Sequence, residues 1–217
     1  MNIPIIVVGK RGRLGSQVFN ALATRSKNVI AISAFEIASK ESADLNSFID
    51  EIMREIKIHH SPGTSLGLVL CHRIRGMSIP DSLTTELKIT RDFVFLLSEK
   101  VERLKVTVIG SITGKRVDPR SDESYHFCKN LQRSIVNYSV TIPQISMNLV
   151  ELNTFKKFSE NFSREYEAYL SNAGRLIGMQ NIPEIENIID LIKFLCEDSY
   201  CIRGQVIPVD GGLSLFQ

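Results

Sequence analysis

Six mostly β-branched apolar residues near the start of the chain, Ile3–Val8, run directly into a loop with three glycines, Gly9, Gly12 and Gly15. A continuous apolar run predicts a strand buried on both faces, as in a parallel sheet covered by helices. The segment after the glycines, Ser16–Arg25, has the spacing of a helix. A strand, a glycine turn and a helix in this order open a βαβ unit, so this feature restricts the chain to the α/β class.

Strand and helix patterns alternate along the rest of the chain. The predicted strands are Ile3–Val8, Asn28–Ser33, Leu66–Cys71, Lys105–Ile109, Tyr138–Ile142 and Gly204–Val209. The predicted helices are Ser16–Arg25, Asp44–Ile58, Ser82–Leu104, Ser121–Tyr138, Asn153–Ser171 and Glu184–Cys196. The alternation predicts a doubly wound, mostly parallel sheet with helices on both faces, the three-layer α/β/α arrangement of a Rossmann fold. Because only Ala34–Ala43 separates the second strand from the next helix, we expect that crossover helix to be missing or reduced to a turn.

Composition excludes several classes of function. The length of 217 residues suits one domain spanning 1–217, and the formal net charge of +2 gives no basic field for nucleic acid. No window has the length of a membrane span and no signal segment is recognised, so we expect a cytoplasmic protein. The four cysteines form no CxxC pair and are interpreted as free thiols, although an even count leaves disulfides open. His59 and His60 have no acidic or cysteine partner at ligand spacing, and no metal site is predicted.

The glycine loop predicts a phosphate-binding turn. Glycines let the backbone approach a pyrophosphate, and the following helix start offers free N–H groups with a partial positive charge. The predicted dinucleotide contacts are therefore Gly9, Gly12, Leu14 and Gly15. A glycine turn that binds no ligand is the alternative.

The charges around the loop bear on which dinucleotide is bound. Lys10, Arg11 and Arg13 are either solvated surface charges or contacts to phosphate, including the 2′-phosphate of NADP. NAD-binding proteins usually carry an acid near the end of the second strand, where this chain has Ser33 and, slightly beyond it, Glu36. The pattern favours NADP, with NAD as the alternative.

A second motif lies in the middle of the chain. The strand that ends near Ile109 is followed by Gly110 and Ser111, and Tyr125 and Lys129 come fourteen and eighteen residues after Ser111. A Tyr and a Lys four residues apart share one helix face. A nearby ammonium favours the ionised phenol, which suits a general acid or base, and a serine hydroxyl can hydrogen-bond a substrate oxygen. A surface helix pair with no catalytic role has the same spacing.

With these motifs in this order, the chain resembles the short-chain dehydrogenases/reductases over nearly its whole length. Other matching segments are Asp44-Leu45, the strand Leu66–Cys71 and the tail Arg203–Gly212. The resemblance implies that Tyr125 transfers the proton, that Lys129 assists it and binds the nicotinamide ribose, and that Ser111 orients the substrate. It further implies adenine contacts from Asp44 and Leu45, cofactor contact from Pro143, and a segment near 146–175 that covers the substrate.

The chain departs from the family pattern at several positions. Thr90 stands where the family often has a relay asparagine, and Leu70-Cys71-His72-Arg73 replaces an Asn-Asn-Ala-Gly segment. The family's Pro-Gly is matched to Pro143-Gln144. We therefore expect His72 and Arg73 to point away from the cofactor or to reshape the pocket, and Thr90 or a water to replace the asparagine.

The sequence thus predicts an enzyme that interconverts a small-molecule carbonyl and an alcohol with NADP or NAD. The catalytic candidates are Ser111, Tyr125, Lys129 and Thr90. A non-catalytic dinucleotide-binding protein is the alternative, and a sugar-nucleotide epimerase is disfavoured by the short C-terminal region. Extra apolar positions such as Phe93–Leu97 predict a homodimer or homotetramer.

Overall fold

The structure is a computed structural model, and it describes residues 3–26, 28–56, 63–74, 76–111, 122–152, 185–197 and 201–210. Its strands are β1 (Ile5–Val8), β2 (Val29–Ile32), β3 (Ser65–Leu70), β4 (Arg103–Ser111), β5 (Ile145–Leu152) and β6 (Val206–Val209). Within the described ranges they form one sheet in the order β2-β1-β3-β4-β5-β6, with every neighbouring pair parallel. The predicted parallel sheet is confirmed.

Helices cover both faces of the sheet. They are α1 (Arg13–Ala23), α2 (Ala34–Ala38), α3 (Ser42–Glu55), α4 (Ile79–Leu87), α5 (Phe93–Ser98), α6 (Glu123–Tyr138) and α7 (Glu186–Glu197). One apolar cluster joins the sheet to α3, α5 and α6, and a second joins the opposite face to α1 and α7. Within β1, Ile6 belongs to the first cluster and Ile5 to the second, which is why this strand is apolar at every position.

The strand order places a switch point beside the glycine loop. The chain goes from β1 to β2 on one side, and then crosses over β1 to β3 on the other side. The connections that leave β1 and β3 therefore diverge, and a crevice opens at the carboxyl ends of these two strands. Because all six strands are parallel, their carboxyl ends lie along one edge of the sheet.

The short crossover after β2 holds a helix of only five residues, α2, as expected. Its first turn is closed by a capping box between Ser33 and Glu36. The side chain of Ser33 accepts from the Phe35 N–H at 3.2 Å, and the Ser33 N–H donates to Glu36 Oε2 at 2.6 Å. Local side-chain bonds therefore stabilise a helix that is too short to be stable by itself.

Two sequence-based assignments were wrong. The single helix predicted over Ser82–Leu104 is α4 and α5 joined by a π-helical turn, Lys88–Asp92, and it ends at Ser98. The strand predicted over Tyr138–Ile142 is the end of α6 and a 3₁₀ turn, and the strand is Ile145–Leu152 instead.

The polar residues of β5 hid this strand from the sequence pattern. Ser146 Oγ and Asn148 Nδ2 both donate to the Ile202 carbonyl, at 2.8 and 2.7 Å. Polar side chains can be buried in a central strand when a neighbouring segment supplies their hydrogen-bond partners.

The remaining predicted elements agree with the structure to within a few residues, except the helix over Asn153–Ser171, which lies outside the described residues. The predicted covering segment, 146–175, overlaps β5 as far as Leu152, and its remainder lies outside them as well. Among the residues described, no helix is long and apolar enough to cross a membrane. In the same part of the chain, no group of three or more His, Cys, Asp or Glu side chains could hold a metal ion.

Candidate active site

The glycine loop forms a tight turn at the carboxyl end of β1. Gly9 has a φ of +109°, a conformation that side chains disfavour. A Cβ on Gly15 would lie 2.2 Å from the Gly9 carbonyl oxygen, so only glycine lets α1 approach the loop this closely. Gly12 is the N-cap of α1 and provides no side-chain cap. The first turn of α1 therefore begins directly beside the switch point, where its N–H groups can meet an anion.

The charged residues of the loop lie at the surface. Arg11 and Arg13 are exposed, and Lys10 Nζ lies 3.6 Å from Glu36 Oε2 in an ion pair open to solvent. Leu14 packs partly buried against the second apolar cluster. Three cations thus flank the start of α1 and the end of β2.

The turn at the end of β2 is closed by hydrogen bonds among its own residues. Ser33 is 2% exposed, and its hydroxyl and N–H are both engaged in the capping box of α2. The Glu36 carboxylate therefore faces its own helix start and Lys10.

Asp44 and Leu45 have different environments at the start of α3. Asp44 is exposed in the first helical turn. Leu45 is 1% exposed in the first apolar cluster, and its N–H donates to the Glu41 carbonyl at 2.9 Å. Both the side chain and the N–H of Leu45 thus serve the fold, and the cofactor contacts predicted for Asp44 and Leu45 stay predictions.

Helix α6 carries the Tyr-x-x-x-Lys motif against the end of β4. Asp122 caps this helix by accepting from the Tyr125 N–H at 2.7 Å, which sets the tyrosine in the first turn. Lys129 is one turn further along and is 5% exposed. Its Nζ lies 5.5 Å from the centre of the Tyr125 ring and 3.4 Å from the Ile109 carbonyl oxygen. Ser111, the last residue of β4, is two residues beyond Ile109.

The segment after β3 also reaches this motif. The Arg73 guanidinium lies over the Tyr125 ring, 4.3 Å from its centre, in a cation–π contact. His72 turns the other way and is 4% exposed. The two residues that replace small side chains of the family pattern are thus both accommodated, one against the tyrosine and one in the interior.

A buried polar network connects His72 to Lys129, with Glu86 at its centre. The Glu86 side-chain oxygen Oε1 lies 2.8 Å from His72 Nε2, 2.5 Å from Thr90 Oγ1 and 2.8 Å from Gln132 Nε2. Gln132 Oε1 in turn accepts from Lys129 Nζ at 2.9 Å. Thr90 is therefore a member of this network. None of these hydrogen bonds joins it to Tyr125 or Lys129.

Glu86 is ionised in this environment. Burial alone would raise its pKa, but the charge and hydrogen bond of His72, together with Lys129 and Thr90, lower the pKa to about 2. An ionised carboxylate only accepts hydrogen bonds, so His72 Nε2, Thr90 Oγ1 and Gln132 Nε2 all act as donors. The other ring nitrogen of His72, Nδ1, is buried without a hydrogen-bond partner among the described residues.

Sequence reasoning missed Glu86 and Gln132. Glu86 and Thr90 are four residues apart, and Gln132 follows Lys129 by three, so each pair shares a helix face. That spacing was the available signal, but a glutamate or glutamine at such a position is usually a solvated surface residue.

The structure also corrects the position of Pro143. This residue is exposed and precedes β5, and the Gln144 carbonyl accepts from the N–H of Leu104 near the start of β4. Pro143 therefore lies at the amino edge of the sheet, about 25 Å along the strand from the edge where ligands bind. The carboxyl end of β5 is instead Glu151-Leu152, where the buried Glu151 pairs with Arg133.

Comparisons with known proteins support the fold alone. No protein-family model and no curated protein matches the sequence. Solved structures match over nearly their whole length. The TT0495 protein from Thermus thermophilus has a TM-score of 0.74 and 19% identity, with 100% of each chain covered.

Two further solved structures with the same fold are named as dehydrogenases. A short-chain dehydrogenase/reductase from Serratia marcescens has a TM-score of 0.69 and 16% identity, covering 99% of this chain and 98% of its own. A gluconate 5-dehydrogenase from Burkholderia cenocepacia, in complex with NADP and tartrate, has a TM-score of 0.68 and 16% identity, covering 99% and 96%. The chain has the fold of the short-chain dehydrogenases/reductases, and the expectation of a Rossmann-type α/β/α domain is confirmed.

Proposed function

We propose that this chain is an NAD(P)-dependent oxidoreductase that interconverts a carbonyl and an alcohol. The observation that carries the proposal is the proximity of two unrelated motifs at one sheet edge. The glycine loop follows β1, the face of α6 with Tyr125 and Lys129 lies against the end of β4, and only β3 separates the two strands. Two strand spacings are about 10 Å, a distance that an extended dinucleotide spans.

The residues around the glycine loop fit a pyrophosphate. The loop backbone approaches closely because Gly9 and Gly15 lack side chains, and the N-cap at Gly12 leaves the start of α1 uncovered. Lys10, Arg11 and Arg13 supply positive charge around it. A bound nicotinamide dinucleotide would supply or accept the hydride at the substrate carbon.

The chain itself would handle the proton and the substrate oxygen. Tyr125 would donate the proton to the oxygen in reduction and remove it in oxidation. The Lys129 ammonium, 5.5 Å from the centre of its ring, would interact with the negative charge that develops on the phenol oxygen during the transfer. The Ser111 hydroxyl would hydrogen-bond the same oxygen. The Arg73 guanidinium over the Tyr125 ring is a second cation beside the phenol.

The first experiment measures dinucleotide binding, by titrating the purified protein with NADPH and NADH in parallel and following their fluorescence. The second screens aldehydes, ketones and alcohols for turnover. With an active substrate, Tyr125→Phe should lower the rate about 10²–10⁴-fold and leave NADPH affinity unchanged, because only a hydroxyl is removed. Tyr138→Phe removes a hydroxyl from an exposed position of the same helix and is the matched control. Full activity in Tyr125→Phe would contradict the assignment.

The other two members of the proposed triad have distinguishable effects. Lys129→Ala should weaken both turnover and NADPH affinity, because we assign it a contact to the ribose as well as to the phenol. Ser111→Ala should lower turnover alone. If all three variants lost cofactor affinity equally, a general disruption of the fold would be the simpler explanation.

We infer a preference for NADP over NAD from the end of β2. The Glu36 carboxylate is engaged by the Ser33 N–H and by Lys10, and the exposed Arg11 and Arg13 are available to a 2′-phosphate. NADPH should therefore bind more tightly than NADH, and Arg11→Gln with Arg13→Gln should remove the difference. Equal affinities for the two in the unaltered protein would contradict this preference.

A non-catalytic dinucleotide-binding protein is the second candidate. The observation in its favour is Arg73, whose guanidinium covers a face of the Tyr125 ring. Tight NADPH binding without turnover of any carbonyl or alcohol, unchanged by Arg73→Ala, would favour this candidate over the enzyme.

We also propose that the chain assembles as a homodimer or homotetramer through α5 and α6. Tyr138 is 61% exposed and Phe127 is 45% exposed on α6, and Arg91, Phe95, Ser134, Ile135 and Tyr138 line a groove between the helices. Sedimentation at micromolar concentration tests the proposal, and a monomer near 24.4 kDa would contradict it.

A further inference from the structure

The Lys129 ammonium is buried in a way that calls for a compensating charge. Lys129 is 5% exposed, and among the described residues its Nζ donates to the Gln132 side-chain oxygen at 2.9 Å and to the Ile109 carbonyl at 3.4 Å, with the Tyr125 ring centre at 5.5 Å. Both of these hydrogen-bond acceptors are neutral. Burial of an ammonium is strongly unfavourable unless a negative charge lies nearby.

Glu86 supplies that charge one hydrogen bond further away. Gln132 Nε2 donates to Glu86 Oε1 at 2.8 Å while Gln132 Oε1 accepts from Lys129. The same amide therefore contacts the cation and the anion, and reversing it would turn its NH₂ toward the ammonium and its oxygen toward the carboxylate. The two charges fix the orientation of Gln132, and Gln132 fixes the position of Lys129.

The carboxylate is itself held by two further hydrogen bonds. His72 Nε2 and Thr90 Oγ1 donate to the oxygen that Gln132 contacts, and Glu86 is 1% exposed. The network joins the end of β3, helix α4, the π-helical turn and α6. A change at Glu86 can therefore reach Lys129 without any contact between their side chains.

We propose that Glu86 is a positioning residue for Lys129, with Gln132 as the link that holds the ammonium at the carboxyl end of β4. This inference rests on the proposed function in one respect, since that function gives the ammonium its contacts with the cofactor and with Tyr125. The physical linkage between Glu86 and Lys129 stands apart from it. The test therefore has one measurement for the linkage and one for its consequence.

The linkage is measured by NMR on protein labelled with ¹⁵N at lysine. A buried, hydrogen-bonded ammonium exchanges its protons slowly and should give a ¹H–¹⁵N correlation at neutral pH, which Lys129→Arg assigns by removing it. Glu86→Gln and, independently, Gln132→Leu should abolish this signal. Asp92→Asn removes a carboxylate that is paired with Arg91 at the surface of the neighbouring turn, and it should leave the signal unchanged.

The consequence is measured as the affinity for NADPH across pH 6 to 9. Glu86→Gln should weaken binding about tenfold, the effect of losing a hydrogen bond to a charged group. The double variant Glu86→Gln/Lys129→Ala should bind NADPH as weakly as Lys129→Ala alone, because Glu86 acts through the lysine. Asp92→Asn is again the control.

The outcomes separate the two proposals. A signal that persists in both Glu86→Gln and Gln132→Leu would overturn the linkage. Loss of the signal with wild-type NADPH affinity would also overturn the inference, because the network would then be purely structural. If the unaltered protein bound neither NADPH nor NADH, the proposed function would fail, while the NMR result would still decide whether Glu86 holds Lys129.

Discussion

Gly15 in α1 approaches the backbone of Gly9 so closely that the stability of Gly15→Ala can be predicted without reference to the proposed function. In Gly15→Ala the added Cβ would lie 2.2 Å from the Gly9 carbonyl oxygen and 2.7 Å from its carbonyl carbon. Both atoms belong to the backbone, so a rotamer change cannot relieve the clash. The Gly9 N–H is bonded to the Ile32 carbonyl at 2.9 Å, which ties the loop to β2 and limits its movement.

Two opposing effects determine the size of the change. Alanine in a helix is favoured over glycine by about 1 kcal/mol. Overpacking of a tight site costs about 1–3 kcal/mol, and a clash of a side chain with backbone atoms belongs at the upper end of that range. We therefore expect a net loss of about 2 kcal/mol in the free energy of unfolding. For a chain of this size that corresponds to a fall in Tm of about 4–8 °C.

Urea unfolding followed by far-ultraviolet circular dichroism measures this loss, with the slope against urea checked for constancy. Gly12→Ala is the matched control, because its Cβ would meet the Gly9 oxygen at 3.3 Å, and its cost should stay below about 1 kcal/mol. If Gly15→Ala were as stable as the unaltered protein, the helix could not approach Gly9 as closely as described.

Three further predictions concern other parts of the molecule. Because the pKa of Glu86 is lowered from 4.5 to about 2, its contribution to stability is fully present above pH 4.5 and is lost as the pH falls through 2. Comparison of unfolding in the unaltered protein and in Glu86→Gln should therefore show a difference that shrinks by about 2 kcal/mol between pH 7 and pH 3, and a constant difference would contradict it. Phe127→Asp should shift the sedimentation of any dimer toward monomer, whereas the exposed Phe35→Asp, on α2, should not. With Ellman's reagent the native protein should react rapidly at one thiol, that of the exposed Cys201. The other three cysteines are buried, and burial raises the pKa of their thiols. A second thiol that reacts fast would disprove this.

Features that depend on neighbouring residues in the chain were predictable from sequence. The β-branched run at Ile5–Val8, the glycine spacing after it and the apolar face of α7 all report local periodicity, which the backbone geometry of strands and helices imposes. The short crossover helix followed from the number of residues between β2 and α3. That Tyr125 and Lys129 share a helix face followed from their spacing of four.

Features that depend on distant partners were not predictable in this way. The polar residues of β5 are typical of a loop in the sequence, because the Ile202 carbonyl that accepts their hydrogen bonds is more than 50 residues away. Without this strand, the sequence placed Pro143 at the wrong edge of the sheet. The burial of Leu45 could not be predicted for the same reason, because it is fixed by the packing of α3 in the core.

The amino-acid sequence alone therefore determined the class of fold, the glycine turn after β1 and the pair on α6. Only the tertiary structure decided what surrounds that pair. Glu86 and Gln132 are 46 residues apart and meet only because α4 and α6 pack side by side on one face of the sheet. A charge in the sequence carries no sign of whether it will be solvated or buried, because that depends on which helix packs against it and on which hydrogen-bond donors that helix brings.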